Sequence, residues 1–188
     1  MAGTQFFCFG EYLIFKGNNS YNINSCDTIE IFYNLRTDLD KLNYAVQLCK
    51  IVDSVTDENQ NTYRILQLLL NTLYVISETD KNLDLVASVF RIRLLCLLGF
   101  MPKVKKCVNC DSEENIAYFS IADNGFKCAN CGKVDKSAIS MSATTVDAIR
   151  YIISSPAKKI FSFDLPEGSI KEISLISKIY LDEKLELN

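Results

Sequence analysis

Hydrophobic residues follow one period before about residue 34 and another after it. In residues 6–33, strand-forming apolar and aromatic residues flank the stretch KGNNS, which is typical of a turn. This segment is therefore predicted to form two or three strands. So few strands are marginally stable alone, and we expect them to pack on the rest of the chain or to belong to a larger sheet.

From about residue 34 the apolar residues recur at helical spacing. The stretch TDE at 56–58 is predicted to stop the first helix and, through Thr56 or Asp57 as N-cap, to start the next. The segments 62–76 and 83–99 are apolar nearly all round, which predicts that other elements surround both. The first helix carries its apolar face on Leu35, Leu39, Leu42, Ala45, Val46, Cys49 and Val52.

The apolar stretch DLVASVFRIRLLCLLGFM is about as long as a short membrane span. Arg91 and Arg93 lie at its centre, where each would cost several kcal/mol in lipid, so a buried core helix is predicted instead. The N-terminal stretch lacks the basic and apolar regions of a signal peptide. Near the C-terminus, Ser140 or Ser142 is predicted to cap a helix, and a last helix is predicted to begin near Gly168.

Two Cys-x-x-Cys pairs, CVNC and CANC, are separated by seventeen residues. This is the spacing of a site in which four thiolates surround Zn²⁺ tetrahedrally. Aromatic residues on both sides of Asp123-Asn124-Gly125 predict a hairpin, with Asn-Gly providing the positive φ of a tight turn, that returns the second pair to the first. We predict a lobe at 105–133 whose structural Zn²⁺ is held by Cys107, Cys110, Cys128 and Cys131.

Other interpretations of the cysteine pairs exist. A thiol redox sensor would form reversible disulfides and hold no metal, but the sequence lacks the βαβ context that lowers the pKa of a redox thiol. A catalytic zinc site keeps an open position and usually includes histidine, and the chain has none. In a chain without an export signal, paired cysteines fit a reducing cytosol. Four further cysteines are interpreted as small core or surface residues, namely Cys8, Cys26, Cys49 and Cys96.

The net charge is −3 and the sequence pI is about 5.1, which excludes binding to nucleic acid by bulk positive charge. Any contact with phosphates must come from a local patch. Lys105 and Lys106 precede the first cysteine pair and Lys127 precedes the second, and contact through them would be salt-sensitive and indifferent to base sequence. Acidic residues interleave with these lysines, so an ordinary solvated surface explains them as well.

The order of these features resembles the bacterial recombination mediator family RecO over nearly the whole chain. It runs from FYNLRTDLDKLNYA through FRIRLLCLLGFMP, KCVNC, YFS and NGFKCANC to ISMSATTVDAIRYI. The most specific parts are LLGFMP leading into the first cysteine pair and FS-x-x-x-NG before the second.

The resemblance implies an OB-fold, a helical domain and a zinc lobe. The fold class expected here is mainly α, with a partial OB-fold in 1–33 and a helical domain in 34–188 that carries the zinc lobe at 105–133. An OB-fold needs five strands, so its first strands are expected to be missing, and the C-terminus is expected to be shorter than is usual in the family.

The resemblance also implies a non-enzymatic cytoplasmic protein, associated with the nucleoid, that acts in DNA repair and recombination. It would bind single- and double-stranded DNA, anneal complementary strands, contact the C-terminal tail of single-strand-binding protein and, with RecR, help to load RecA. No Gly-rich phosphate loop suggests nucleotide hydrolysis. The alternative is a protein-interaction adaptor with structural zinc and no DNA binding, which the acidic pI favours.

Cations and aromatic residues provide the candidate contacts. The arginines in apolar surroundings either form buried pairs with Asp38 or Asp40, or lie at the rim of a groove and hold an acidic tail or a phosphate. Tyr12 and Phe15 either stack on bases or belong to the core. An exposed sheet edge predicts dimerisation or poor solubility. The candidate DNA or partner contacts are Lys16, Arg36, Arg91, Arg93, Lys105, Lys106 and Lys127.

Overall fold

The computed structural model describes residues 5–18, 20–58 and 60–186. A β-hairpin comes first, then a group of helices, then a small three-stranded lobe, and two further helices pack back on the first group. The prediction of a mainly helical chain with a short N-terminal β segment is confirmed. In chain order the elements are β1 (Cys8–Lys16), β2 (Tyr21–Ile31), α1 (Asn34–Thr37), α2 (Leu39–Ser54), α3 (Tyr63–Glu78), α4 (Leu83–Leu97), β3 (Ile116–Ser120), β4 (Gly125–Cys128), α5 (Ala129–Lys133), β5 (Ala138–Ser140), α6 (Ala143–Ser154) and α7 (Glu167–Leu185).

β1 and β2 form an antiparallel hairpin whose turn lies where the sequence predicts it. Lys16 pairs with Tyr21 at the turn, and Tyr12 pairs with Cys26 further along. Register shifts interrupt the ladder at two points, which increases the local twist. Asn19, inside the predicted turn, lies outside the described residues.

Within the described part of the chain, the hairpin packs on the helices at its base. Phe32 is buried there, and Phe7 and Phe9 pack against the core. Further out, Tyr12 is 37% exposed and Phe15 is 66% exposed. The interpretation of these two residues as core is therefore wrong, because none of the described helices covers this part of the hairpin. Stacking on bases stays a prediction.

The connection between α2 and α3 differs from the prediction. Thr56 Oγ1 donates to Val52 O at 2.9 Å, so this hydroxyl belongs to the end of α2 and does not cap the next helix. α3 begins only at Tyr63, whose backbone N–H donates to Asn61 Oδ1 at 3.2 Å. The prediction that Thr56 or Asp57 starts this helix is wrong.

α4 is the central helix, with ten of its fifteen residues buried and with α2, α3, α6 and α7 packed around it. The prediction that other elements surround it is confirmed. The same prediction is wrong for α3, where Leu66 is 41% and Tyr74 is 52% exposed, because its neighbours cover one side only. Over the residues that the structure describes, each helix is too short or too polar to span a membrane.

Local residues define several helix ends. Asn82 caps α4 by accepting a hydrogen bond from a backbone N–H of its first turn. Gly99, with φ of 90°, ends the same helix. Ser142 caps α6 by accepting from Thr145 N. Of the two serines predicted for that role, Ser140 instead ends β5.

The lobe is a three-stranded sheet in which β3 is central, with β4 and β5 antiparallel on either side. The sheet thus extends to Ser140, beyond the predicted limit at 133. Asn124 supplies the positive φ of the turn, at 56°. Gly125 serves a different purpose, because a Cβ on it would lie 2.6 Å from Lys103 O. Glycine is needed there so that the preceding linker can pair with β4.

Candidate metal centre

Four cysteine side chains meet at one end of the lobe. Cys107 and Cys110 lie on the loop before β3, Cys128 is the last residue of β4, and Cys131 lies in α5. Their Sγ atoms all lie within 4.8 Å of one another. The β3–β4 hairpin therefore brings the second pair back to the first, as the spacing predicts.

Backbone hydrogen bonds attach both cysteine pairs to the sheet. In the first pair, Val108 N donates to Phe126 O at 2.8 Å. Within the second pair, Ala129 N donates to Asn115 O, immediately before β3, at 2.9 Å. Asp111, with φ of 60°, turns the chain away after the first pair. These contacts position the thiols through the fold of the lobe.

The sulfur geometry fits a tetrahedral metal site. With Zn–S bonds of about 2.3 Å, the sulfurs of a tetrahedral site stand about 3.8 Å apart. Cys110 Sγ and Cys128 Sγ are 3.7 Å apart, whereas a disulfide needs about 2.0 Å. The cluster is thus compatible with a four-cysteine zinc site.

The four thiols compete for negative charge. Burial raises the pKa of Cys107, but backbone hydrogen bonds from Cys128, Asn109 and Cys110 outweigh it and lower the pKa to about 6. Hydrogen bonds with the thiols of Cys128 and Cys110 raise the pKa of Cys131 to about 12. Backbone hydrogen bonds, led by that of Cys131, also lower the pKa of Cys128, whereas the pKa values of Cys110 and Cys131 are raised. Two thiolates therefore form readily, and ionisation of the other two is opposed. A divalent cation removes this opposition, so the donor set suits one.

The side chain of Lys127, a candidate phosphate contact, does not lie on the surface of the lobe. Its side chain is 4% exposed, with Nζ 2.6 Å from Asp135 Oδ2 and 2.5 Å from Asp123 Oδ2. Burial alone would lower the pKa of Lys127, but the two carboxylates outweigh it and raise that pKa. The Lys127 ammonium in turn holds the pKa of Asp135 well below its usual range. The two carboxylates neutralise the charge of Lys127 inside the lobe. Lys127 therefore forms a structural ion pair, and its ammonium group is not exposed on the surface.

Lys105 and Lys106 are exposed on the chain leading into Cys107. Lys106 Nζ lies 2.5 Å from Asp111 Oδ1, in an exposed pair that salt screens readily. Together with Lys103 the two lysines line an open cleft of about 470 Å³ with mainly apolar walls. Of the cations predicted from the sequence, Lys105 and Lys106 are the two that are exposed next to the cysteine cluster in the described structure.

Lys16 and Arg36 lie outside the lobe, at the two ends of the hairpin. Lys16 Nζ lies 5.7 Å from the ring centroid of Tyr21. Arg36 Nη1 donates to Gln5 Oε1 at 2.5 Å, and Nη2 donates to Cys8 Sγ at 3.4 Å. Arg36 therefore joins the first helix to the base of the hairpin.

Arg91 is buried in the helical domain, with 9% of its surface exposed. Burial lowers its pKa, while nearby Tyr44, Asp84 and Asp182 favour the charged form. Tyr44 Oη donates to Asp84 Oδ1 at 2.7 Å. Within the described residues Arg91 Nη1 has no hydrogen-bond partner. This guanidinium therefore lies among helices and does not present itself on a surface.

Arg93 caps the end of a neighbouring helix. Its Nη1 donates to Ile152 O at 3.1 Å and to Ile153 O at 3.0 Å, the carbonyls of the last turn of α6. The interpretation that these arginines pair with Asp38 or Asp40 is wrong. Asp38 instead caps α2, where its side chain accepts from Asp40 N at 2.9 Å.

Arg150 connects the lobe to α6, a role that the sequence did not reveal. Its Nε donates to Val104 O at 3.0 Å and its Nη2 to Lys105 O at 3.3 Å. Its Cζ also lies 5.6 Å from the ring centroid of Phe126. α6 thereby holds the linker that leads into the first cysteine pair. No local pattern marks this role, because the accepting carbonyls come from a distant segment.

Comparison with known proteins places the chain beside one family. The family model described as "Recombination protein O C terminal" matches residues 36–188. The DNA repair protein RecO of Acetivibrio thermocellus is 42% identical over 189 residues, which cover 100% of this chain and 75% of that protein. The DNA repair protein RecO of Alkaliphilus metalliredigens is 32% identical over 182 residues, which cover 96% of this chain and 74% of that protein. The chain thus spans about three quarters of the length of these relatives.

Proposed function

The chain belongs to the RecO family, and on that premise we propose that it is a non-enzymatic protein of DNA repair and recombination that acts at the nucleoid. It binds single-stranded DNA, anneals complementary strands and, with RecR, helps to load RecA onto strands coated by single-strand-binding protein, whose C-terminal tail it contacts. The observation that carries this proposal is the family match over residues 36–188, supported by 42% identity to a DNA repair protein RecO along the whole chain.

We also propose that the cysteine cluster holds a structural Zn²⁺. Thiolates would fill all four tetrahedral positions and leave no open position for water, as in structural sites. Binding of the ion would lock together the loop before β3, the end of β4 and α5. Because such an arrangement does not exist in the unfolded chain, the binding free energy would contribute directly to folding of the lobe.

Lys105 and Lys106 are the proposed phosphate contacts of the lobe. They are exposed on a linker that Arg150 and the cysteine cluster hold at its two ends. An ammonium group binds a phosphate as a point charge and does not read the base. Contact of this kind suits annealing, in which the protein handles strands of any sequence.

The N-terminal hairpin is the proposed OB-fold segment, within 1–33, and 34–188 is the proposed helical domain with its inserted lobe. An antiparallel hairpin interrupted by register shifts is typical of the strongly bent strands of such barrels. Lys16 at its turn lies beside exposed Tyr21. A cation next to an aromatic ring is a suitable contact for the phosphate and base of a single strand.

A protein-interaction adaptor without DNA binding is the second candidate. Leu13 is 60% exposed on β1 and Ile29 is 59% exposed on β2, so the hairpin presents apolar side chains on both strands. Exposed apolar surface is typical of protein contacts. The net charge of −3 also disfavours general attraction to DNA.

Fluorescence anisotropy with fluorescein-labelled single-stranded DNA separates the two candidates. Binding is measured at low and moderate salt, with zinc content determined on the same sample and annealing followed with complementary strands. The mediator function predicts binding that weakens as salt rises and faster annealing. A folded, zinc-loaded sample that binds no DNA would favour the adaptor.

A further inference from the structure

A separate cationic cleft lies in the helical domain, between α3, the end of α4 and the residues that follow α6. Its volume is about 220 Å³. Arg64, Gln67 and Asn71 line it from α3, and Arg93 lines it from α4. None of the described residues that line this cleft is acidic, and its two charged residues are both arginines.

The three residues from α3 share one face of the helix. Arg64, Gln67 and Asn71 are three and four residues apart, the spacings that place side chains next to one another on a helix. Leu68 and Leu97 also line the cleft and give it apolar surface. The cleft thus combines a row of hydrogen-bond donors with a small apolar surface.

The hydrogen-bond donors that α3 contributes to the cleft are available to a ligand. Within the described ranges, the side chains of Arg64, Gln67 and Asn71 make no hydrogen bond or ion pair. Arg93 is different, because the carbonyls at the end of α6 hold its Nη1 and thereby orient the whole guanidinium. One cation is therefore fixed in place, while the other donors are free to meet a ligand.

We propose that this cleft binds a backbone phosphate of single-stranded DNA, an inference that rests on the proposed DNA-binding function. A guanidinium fork matches two phosphate oxygens, and amide N–H groups of Asn and Gln also donate to phosphates. The apolar surface of Leu68 and Leu97 suits the adjoining sugar. Lys158 and Lys159, exposed on the turn that flanks the cleft, continue the positive charge. A row of separate cations fits the repeating charge of a strand better than it fits a single carboxylate.

The test compares Arg64→Gln with Lys178→Gln, using anisotropy of fluorescein-labelled oligothymidylate across a salt series. Each variant removes one positive charge from an exposed helical site, but Lys178 lies on α7 outside the cleft. Arg64→Gln is expected to weaken binding several-fold and to reduce the slope of log K against log salt by about 0.7, the loss of one phosphate contact. Asn71→Asp, which puts a negative charge into the cleft, is expected to weaken binding further. Lys178→Gln is expected to leave the slope unchanged.

If Arg64→Gln and Lys178→Gln give equal slopes of log K against log salt while the wild type still binds DNA, the cleft is not a phosphate site. The proposed function would then still stand. A folded wild type that binds no oligothymidylate would overturn both. A labelled hexa-aspartate peptide tests the other source of negative charge. If Arg64→Gln abolishes binding of this peptide and leaves DNA binding unchanged, the cleft receives an acidic protein segment and the inference is overturned. Thermal melts of all variants verify that each is folded.

Discussion

Gly132 packs against the ring of Tyr118 so closely that no side chain fits between them. A Cβ built on Gly132 would lie 2.2 Å from Tyr118 Cδ2 and 2.7 Å from Tyr118 Cβ. Gly132 follows Cys131 in α5, and Tyr118 lies in β3. The contact therefore seats the second cysteine pair on the central strand of the lobe.

Gly132→Ala is expected to destabilise the protein by about 2 kcal/mol, because overpacking forces the ring or the helix to shift. Urea unfolding measures the change. The control is Gly168→Ala in α7, where a Cβ would meet nothing within 4 Å. That variant is expected to be neutral or to gain up to about 1 kcal/mol, as alanine does in helices. Equal stability of the two variants would show that Tyr118 moves aside freely.

Cys107→Ser is expected to abolish retention of Zn²⁺ and to lower the melting temperature, because the lobe loses one of four ligands. Elemental analysis of the purified protein gives the zinc content, expected to be one ion per wild-type chain. Cys49→Ser is the control, since Cys49 lies in α2 outside the cluster, and it is expected to keep the metal. A metal-free wild type whose melting temperature does not respond to a chelator would contradict the zinc assignment.

The carboxylate of Glu172, on α7, accepts hydrogen bonds from residues at the start of the neighbouring α6. Its Oε2 accepts from Ser142 N at 2.8 Å, from Ser142 Oγ at 2.9 Å and from Thr145 Oγ1 at 2.5 Å. Burial raises the pKa of Glu172, but these hydrogen bonds, led by that of Thr145, outweigh it and lower the pKa. The charged form is therefore the one that stabilises the fold.

Glu172→Gln is expected to cost about 1–2 kcal/mol at neutral pH, because hydrogen bonds to a charged acceptor become neutral ones. The contribution of Glu172 is present above its unfolded pKa of about 4.3 and is lost as pH falls through the lower folded value. Urea unfolding of wild type and variant should therefore converge in acid. Glu167→Gln, in an exposed pair with Lys171, is expected to have little effect at any pH. A constant difference between wild type and Glu172→Gln down to strong acid would contradict the role of the charge.

The isolated chain is expected to self-associate through its hairpin, where Phe15 is 66% exposed beside open strand edges. Phe15→Lys is expected to shift sedimentation towards the monomer at every concentration, because a charge cannot be buried cheaply between two copies. Tyr74→Lys on α3, at a site 52% exposed, serves as the matched control. A wild type that remains monomeric at high concentration would exclude this association.

The sequence by itself determined the cysteine cluster and the turn near Lys16, and it limited the cap of α6 to Ser140 or Ser142. Each depends on residues close together in the chain, or on the fixed number of ligands that a tetrahedral ion requires. Such local chemistry leaves a readable pattern, so the mainly helical fold with a small cysteine lobe followed from it.

Only the tertiary structure decided where the cations point. Lys127 follows a strand-like pattern next to a cysteine, yet Asp123 and Asp135 close around its ammonium. Arg93 lies in an apolar helix, and its partners are carbonyls about sixty residues later. The exposure of Phe15 likewise depends on which helices reach the hairpin. A charge takes the lowest-energy partner that folding brings near, and for Arg93 that partner lies far along the chain.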